Sequence, residues 1–376
     1  MFKKINLIPG LSLTLLLFFS ACQKEAPLTI DNESDEVHYA LAGVSTKSAN
    51  KFTNLFNRFG NGWTGGDATY SIALPDGRTV WMFGDSFLDT VYADYSRPSS
   101  GLIRNCFMVQ TGGAMTTLCG NTIDAPQALV DTDDPADEWY WPGDATVIGE
   151  NLYVFFMYFI RTGPDAFDFA YLRTDLVTFS LPTITETSRN TVYTNNDILW
   201  GASLMEDGDY IYVYGAEQAF LTKYAHVSRY PADDITAAPE FWNGASWVST
   251  EPATNVGRLE KQSGLPVEAS AQFAVFYSGG KYRLVTQEDL FSPNIYTWEA
   301  LAPTGPWKKR QTVYVTPETG GDLWTYNAFV HPQFTTADGY MLLSYNENSM
   351  NFFDLFEDAR IYRPKFKKKF IYFKYL

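Results

Sequence analysis

The sequence predicts an all-β chain folded as a five-bladed β-propeller, and three observations lead there. Runs rich in aromatic and β-branched residues recur along it, at Thr79–Phe83, Leu152–Phe159, Tyr210–Tyr214, Tyr282–Thr286 and Tyr340–Tyr345, which is strand composition. No stretch keeps a 3.6-residue apolar period over a dozen residues, so long amphipathic helices are excluded. Each run also belongs to one of five similar units: GDATYSIALPDGRTVWMFGDSF from Gly66, GDATVIGENLYVFFMYF from Gly143, GASLMEDGDYIYVYGAEQ from Gly201, EASAQFAVFYSGGKYRLVTQED from Glu268 and YNAFVHPQFTTADGYMLLSYNEN from Tyr326. Every unit has a small-residue start, a short apolar strand, a turn, a second strand and a polar end. The anchors Ala68, Ala145, Ala202, Ala269 and Ala328 lie 77, 57, 67 and 59 residues apart, which leaves room for two more strands per unit. A hairpin repeated at that period marks a propeller; a β-sandwich with look-alike hairpins is the alternative.

Ahead of the first unit the chain carries an address. Lys3 and Lys4 precede an apolar run, Leu7 to Phe19, of signal-peptide rather than membrane-span length. The run ends in Phe19-Ser20-Ala21-Cys22, small residues before a cysteine as in the bacterial lipoprotein cleavage box. Residues 1–21 therefore read as a lipoprotein signal peptide and Cys22 as the lipidated residue; an ordinary secretory signal is the alternative. The expected location is the bacterial outer membrane, at the cell surface or facing the periplasm, with the lipid as the sole membrane contact. Residues 22–50 are polar and read as a flexible tether; residues 51–376 form the propeller domain, expected to be a monomer. The segment Ile361–Tyr375 suits an outer strand of the closing blade, with lysines guarding its edge.

Composition narrows the function. At 45% hydrophobic the chain can bury a core, and 43 acidic against 28 basic residues give a net charge of −15. Loss of Lys3 and Lys4 takes it to −17. Such a balance excludes a nucleic-acid partner, which needs a basic face. Ten Trp, 24 Tyr and 28 Phe beside carboxylates suit neutral polar ligands such as sugars.

Gly112-Gly113 between Arg104–Thr111 and Ala114–Leu118 is a hairpin turn that sets Thr111 opposite Ala114. The same register sets Cys106 opposite Cys119, so a cross-strand disulfide is expected in an exported protein, with two buried free thiols as the alternative. Either role is structural: no Cys-x-x-Cys is present for redox or metal work.

In a propeller blade, the start of strand one and the end of strand two share a face. Asp67 opens and Asp85 closes the first hairpin; Asp144 opens the second; Glu217 closes the third; Glu268 opens and Glu288 closes the fourth; Asn327 opens and Asn346 closes the fifth. Like charges gathered at one mouth should raise some pKa values, so that one carboxyl holds a proton while another stays ionised. Asp67, Asp85, Asp144 and Glu268 are the candidate catalytic acids. An Asp after Gly is otherwise a turn-former. Trp63, Trp141, Trp200, Tyr326 and Asn327 flank the same positions as candidate substrate-binding groups, although most of the aromatic residues must be core. No cofactor is expected. His331 reads first as a core histidine, and calcium is the ion it could join with carboxylates or waters.

With these residues placed, the chain resembles exported bacterial proteins of the five-bladed-propeller glycosidase type, and among them a poorly characterised lipoprotein family related to propeller endo-D-arabinanases. The matching segments are Trp63-Thr64-Gly65-Gly66-Asp67, Phe83-Gly84-Asp85-Ser86-Phe87, Trp141-Pro142-Gly143-Asp144, and His331-Pro332 followed by Ser344-Tyr345-Asn346. The resemblance implies a glycoside hydrolase acting on a polysaccharide or oligosaccharide, with arabinofuranose-type linkages favoured, and with Asp67, Asp85 and Asp144, joined by Glu268, as its acids. Gly201-Ala202 lacks the acid that many such enzymes carry in the third blade. A non-catalytic glycan-binding lipoprotein is the rival reading, and a propeller scaffold for a protein partner is a third.

Overall fold

The computed structural model describes residues 47–48, 50–99, 101–195, 197–336 and 339–369. The signal segment, Cys22 and most of the tether lie outside them. Five antiparallel sheets of four or five strands follow one another along the chain. Sheet I holds Tyr70–Ala73, Thr79–Phe83, Cys106–Thr111 and Ala114–Leu118. Sheet II holds Glu138–Ile148, Asn151–Arg161, Phe169–Ser180 and Thr185–Tyr193. Sheet III holds Ile198–Asp207, Tyr210–Ala219, Thr222–Pro231, Glu240–Trp242 and Trp247–Val248. Sheet IV holds Ala274–Ser278, Lys281–Gln287, Asn294–Ala300 and Lys308–Val315.

Sheet V joins the two ends of the described chain. Leu323–His331, Met341–Ser349 and Lys365–Lys369 are followed by Lys47–Ser48, which pairs with Lys367 and Lys368. The C-terminal strand is thus third rather than outermost, and residues placed in the tether supply the edge strand. Among the described residues, two short sheets, two short α-helices, Asn50–Leu55 and Asp354–Glu357, and a 3₁₀ helix at Pro332–Phe334 complete the set.

All five expected hairpins close where expected, and the reason is local. Gly77, Gly149, Gly208, Gly279 and Gly339 sit in their turns with φ between +60° and +84°, a conformation that costs glycine nothing. The recurring small residues have a different cause. Ala68, Ala145, Ala202, Ala269 and Ala328 are all buried, and register shifts fall beside three of them, between Pro142 and Ala145, Trp200 and Ser203, and Tyr326 and Phe329. At these bulges adjacent first strands crowd together: a Cβ on Gly143 would lie 2.4 Å from the Gly201 carbonyl oxygen. First strands of successive sheets pack on one another from I to V, and that of V returns to I. Tyr70 Oη donates to the Ala202 carbonyl at 3.1 Å, and the Val275 amide donates to Ser203 Oγ at 2.9 Å.

The cysteine expectation needs correction. The register is as read, with Thr111 opposite Ala114 and Phe107 opposite Leu118, yet Cys106 and Cys119 are free thiols. The ladder stops one pair short, because the chain leaves Sheet I at Cys119 to start the Gly120–Thr122 and Ala125–Gln127 hairpin. Cys106 is fully buried, and burial pushes its thiol up to about 12. Alkylation of the folded protein should therefore modify Cys119, half-buried, and leave Cys106 unmodified until denaturation, as peptide mapping would read.

Candidate functional site: an aspartate pair at one end of the sheets

Asp67 and Asp85 face each other because of the hairpin that joins them. Gly66 pairs with Ser86 and Tyr70 with Met82, and the same register sets Asp67 opposite Asp85. Their backbones touch through Asp67 N–H to Asp85 O at 3.3 Å and Gly84 N–H to Asp67 O at 3.0 Å. Ala68 and Thr69 have φ of +71° and +61°, a kink that parts the short Gly65–Gly66 strand from the longer one after it.

The two carboxyls have unlike surroundings. Asp67 Oδ2 accepts from Tyr326 Oη at 2.7 Å, and the Tyr362 hydroxyl also bonds to this carboxyl. Burial, with the charge of Asp85 beside it, outweighs both and pushes Asp67 up to about 7. Asp85 is also raised by burial, but Arg104 and the Trp141 indole oppose the shift. Arg104 Nη1 lies 3.0 Å from Oδ2 and Trp141 Nε1 donates to Oδ1 at 2.8 Å. The Arg104 guanidinium is itself steadied 4.3 Å over the Trp139 ring. Asp85 keeps 20% of its side chain exposed, so a ligand can reach it. The pair can therefore share one proton, with Asp67 the better holder and Asp85 the better anion.

Gly84 lies between them. A Cβ there would stand 2.7 Å from Asp67 Oδ1 and 3.5 Å from Trp141 Cδ1, so Gly84→Ala must displace the Asp67 carboxyl. If the pair is catalytic, kcat/KM should fall by about 10²-fold, the cost of misplacing a reacting group by around an ångström, while the thermal melting curve stays near that of the unaltered chain.

The other candidates scatter. Asp144 is buried and pushed up to about 7 by that burial, but its oxygens accept from the amides of Ala145 at 2.9 Å and Leu204 at 2.7 Å. It ties Sheet II to Sheet III. Glu268 is part-exposed and ion-paired with Lys261 at 2.9 Å, apart from the aspartates' hydrogen-bond partners. Glu217 is fully buried against Arg258 and His226, and Glu288 bonds Ser292, Asn294 and Arg310. Four of the six acids gathered by topology are thus neutralised or bound locally.

Trp63 and Trp200 are corrections: neither can meet a substrate. Both are fully buried, Trp63 against Phe83 at 4.7 Å and Trp200 stacked on Tyr193 at 4.9 Å, because apolar rings next to a strand start fill the space between sheets. Trp141 and Tyr326 are half-buried and bonded to the pair. Asn327 lies at the Sheet V bulge with φ +54°, a conformation that Asn tolerates. His331 is a core histidine. Nδ1 bonds Ser71 Oγ at 2.6 Å and Nε2 bonds Ser344 Oγ at 2.8 Å, so both ring nitrogens are spent and burial lowers its pKa to about 3. Among the described residues, no group of three His, Cys, Asp or Glu side chains is placed to hold a metal.

Arg104 and Tyr362 are the site residues that sequence reasoning missed. Arg104 was visible only as the first residue of a hairpin. Tyr362 lies in the connection before the last strand, with no motif around it. Neither carries a local signal.

Comparison with known proteins accords with this architecture. A crystal structure of a proposed hydrolase from Bacteroides ovatus superposes with a TM-score of 0.76 at 24% identity, covering 90% of this chain and 93% of that one; the two share a fold. The GH43_1 enzyme from Xanthomonas citri, solved with xylotriose, gives a TM-score of 0.45 at 13% identity over 85% of this chain and 92% of that one. Notoamide biosynthesis cluster protein J from an Aspergillus species is 27% identical over 153 residues, 40% of this chain and 39% of its own length. The match thus spans about two fifths of that relative. With its sequence pattern matching residues 49–372, the chain belongs to the family described as Domain of unknown function (DUF5005).

Proposed function

We propose that the protein is a glycoside hydrolase built on a five-bladed β-propeller, with Asp67 and Asp85 as its paired carboxylates. The observation that carries this is their unlike environment on facing positions: one carboxyl holds a proton to near neutral pH while the other is braced as an anion by Arg104 and Trp141. Glycosidic cleavage needs that division of labour. Protonated Asp67 gives its proton to the departing glycosidic oxygen as the C–O bond breaks. Ionised Asp85 either bonds to the anomeric carbon or takes a proton from the attacking water. Tyr326 and Tyr362 orient the first carboxyl, Arg104 the second.

The propeller reading is supported by the five sheets, the successive packing of their first strands and the return from Sheet V to Sheet I. Export as a lipoprotein through Cys22, with the domain at the cell surface or in the periplasm, rests on the N-terminal sequence. Arabinofuranose-type linkages are the preferred substrate by resemblance.

The test is to incubate the protein with arabinan, arabinogalactan, xylan and fructan across pH 4 to 9 and look for released oligosaccharides. Release by the unaltered chain and its loss in Asp67→Asn supports the reading. Binding of a glycan without turnover would assign the same mouth to a glycan-binding protein instead.

A further inference from the structure

We propose that this mouth binds a neutral polysaccharide along its length, on a rail of aromatic rings crossing the Asp67–Asp85 pair, so that bonds inside the polymer are presented to the acids. The inference rests on the reading of the pair as hydrolytic, and extends it from a reaction to a mode of substrate binding.

The rail is traced by contacts. On one side, Tyr326 bonds Asp67, its ring lies 4.4 Å from that of Trp324, and Trp324 lies 4.8 Å from Phe291. On the other, Trp141 bonds Asp85 and its ring lies 5.2 Å from Phe169. Tyr326 belongs to Sheet V and Trp141 to Sheet II, the two neighbours of the sheet bearing the acids. The rings therefore flank the pair on opposite sides, an arrangement for a ligand that extends past the reacting bond in both directions.

The rim continues the pattern. Phe167, Phe220, Phe291 and Phe353 lie in the connections between second and third strands of Sheets II to V, at the end where Asp85 closes the second strand of Sheet I, and are 76%, 100%, 48% and 70% exposed. Phe291 and its neighbour Leu290 hold φ of +61° and +60°, a left-handed conformation that is strained for bulky residues, and both side chains stand in water. Exposed rings in a chain of net charge −15 fit the apolar faces of neutral sugars; they do not fit an anionic lipid surface, which calls for basic side chains.

Affinity electrophoresis of the full chain carrying Asp67→Asn, in gels containing arabinan, arabinogalactan, xylan or fructan, tests the rail. At least one polymer should retard the protein with a Kd about tenfold or more below that of its own monosaccharide. Phe291→Ala and Trp324→Ala should each weaken that retardation about tenfold; Tyr277→Ala, exposed near the end of the first strand of Sheet IV beside the Gly279-Gly280 turn, should leave it unchanged. Phe291 is a surface ring, so its loss tests binding even if the Trp324 variant folds poorly. The unaltered enzyme should lower polymer viscosity well before reducing ends accumulate. Retention by no polymer, equal affinity for the monosaccharide, or ring variants that bind like their parent would overturn the rail. Turnover with neutral ring variants sinks the rail and leaves the hydrolase, whereas ring-dependent binding without turnover by the unaltered chain does the reverse.

Discussion

Asp67→Asn should lower kcat on the cleaved glycan by about 10³-fold, within the span a positioned general acid contributes, and Asp85→Asn should do at least as much. Asparagine keeps the shape of a protonated Asp67 but cannot release a proton to a leaving oxygen. The pH profile gives the independent check. Asp67 is raised to about 7, so the productive state, Asp67 protonated and Asp85 ionised, empties as pH climbs through that value, and kcat/KM should decline on its alkaline side from near 7. Stability follows the same direction. A carboxyl with a raised folded-state pKa contributes stability that is fully present below its unfolded value near 4 and is lost as pH rises through about 7. Asp67→Asn, permanently neutral, should therefore melt no lower than the unaltered chain at pH 8. An inactive variant that also unfolds early at pH 8 would count against a functional origin for the buried acid.

Glu217→Gln should be strongly destabilising although it lies outside the site, at about 3 kcal/mol near pH 7, the order found when one partner of a buried ion pair is removed. The carboxylate is fully buried and meets two cationic or donor groups, the Arg258 guanidinium and His226 Nε2, the latter at 2.8 Å. Burial alone would raise its pKa, but these partners outweigh burial and hold it to about 2. A depressed carboxyl contributes stability above its unfolded pKa near 4.3, and that contribution is lost as pH falls towards 2. Chemical denaturation should show the variant weaker at pH 7 and the gap closing below pH 4. Equal midpoints at pH 7 would show that Arg258 finds water and the triad contributes nothing. Catalysis should be unaffected, because Glu217 touches neither aspartate.

The strands were legible because their causes are local. Aromatic and β-branched runs, turn glycines and the recurring Gly-Asp-Ala or Gly-Ala starts each act within a dozen residues, and the pairing of Thr111 with Ala114 followed from the turn alone. The disulfide did not follow, since whether the last pair closes depends on where the chain goes next. Trp63 and Trp200 were misplaced for a related reason: a ring beside a strand start can face the mouth or the space between sheets, and the pattern is the same for both.

The hairpins, their turns and the facing of Asp67 and Asp85 are written in the chain itself, because a hairpin's register is set by the turn between its strands. The character of those carboxyls comes from packing between distant segments. Tyr326 lies 259 positions from Asp67 and Trp141 lies 56 from Asp85, and Tyr362 arrives from the last described segment. Protonation depends on the water removed and the charges brought close, and both come from chain that is distant in sequence and adjacent only after folding.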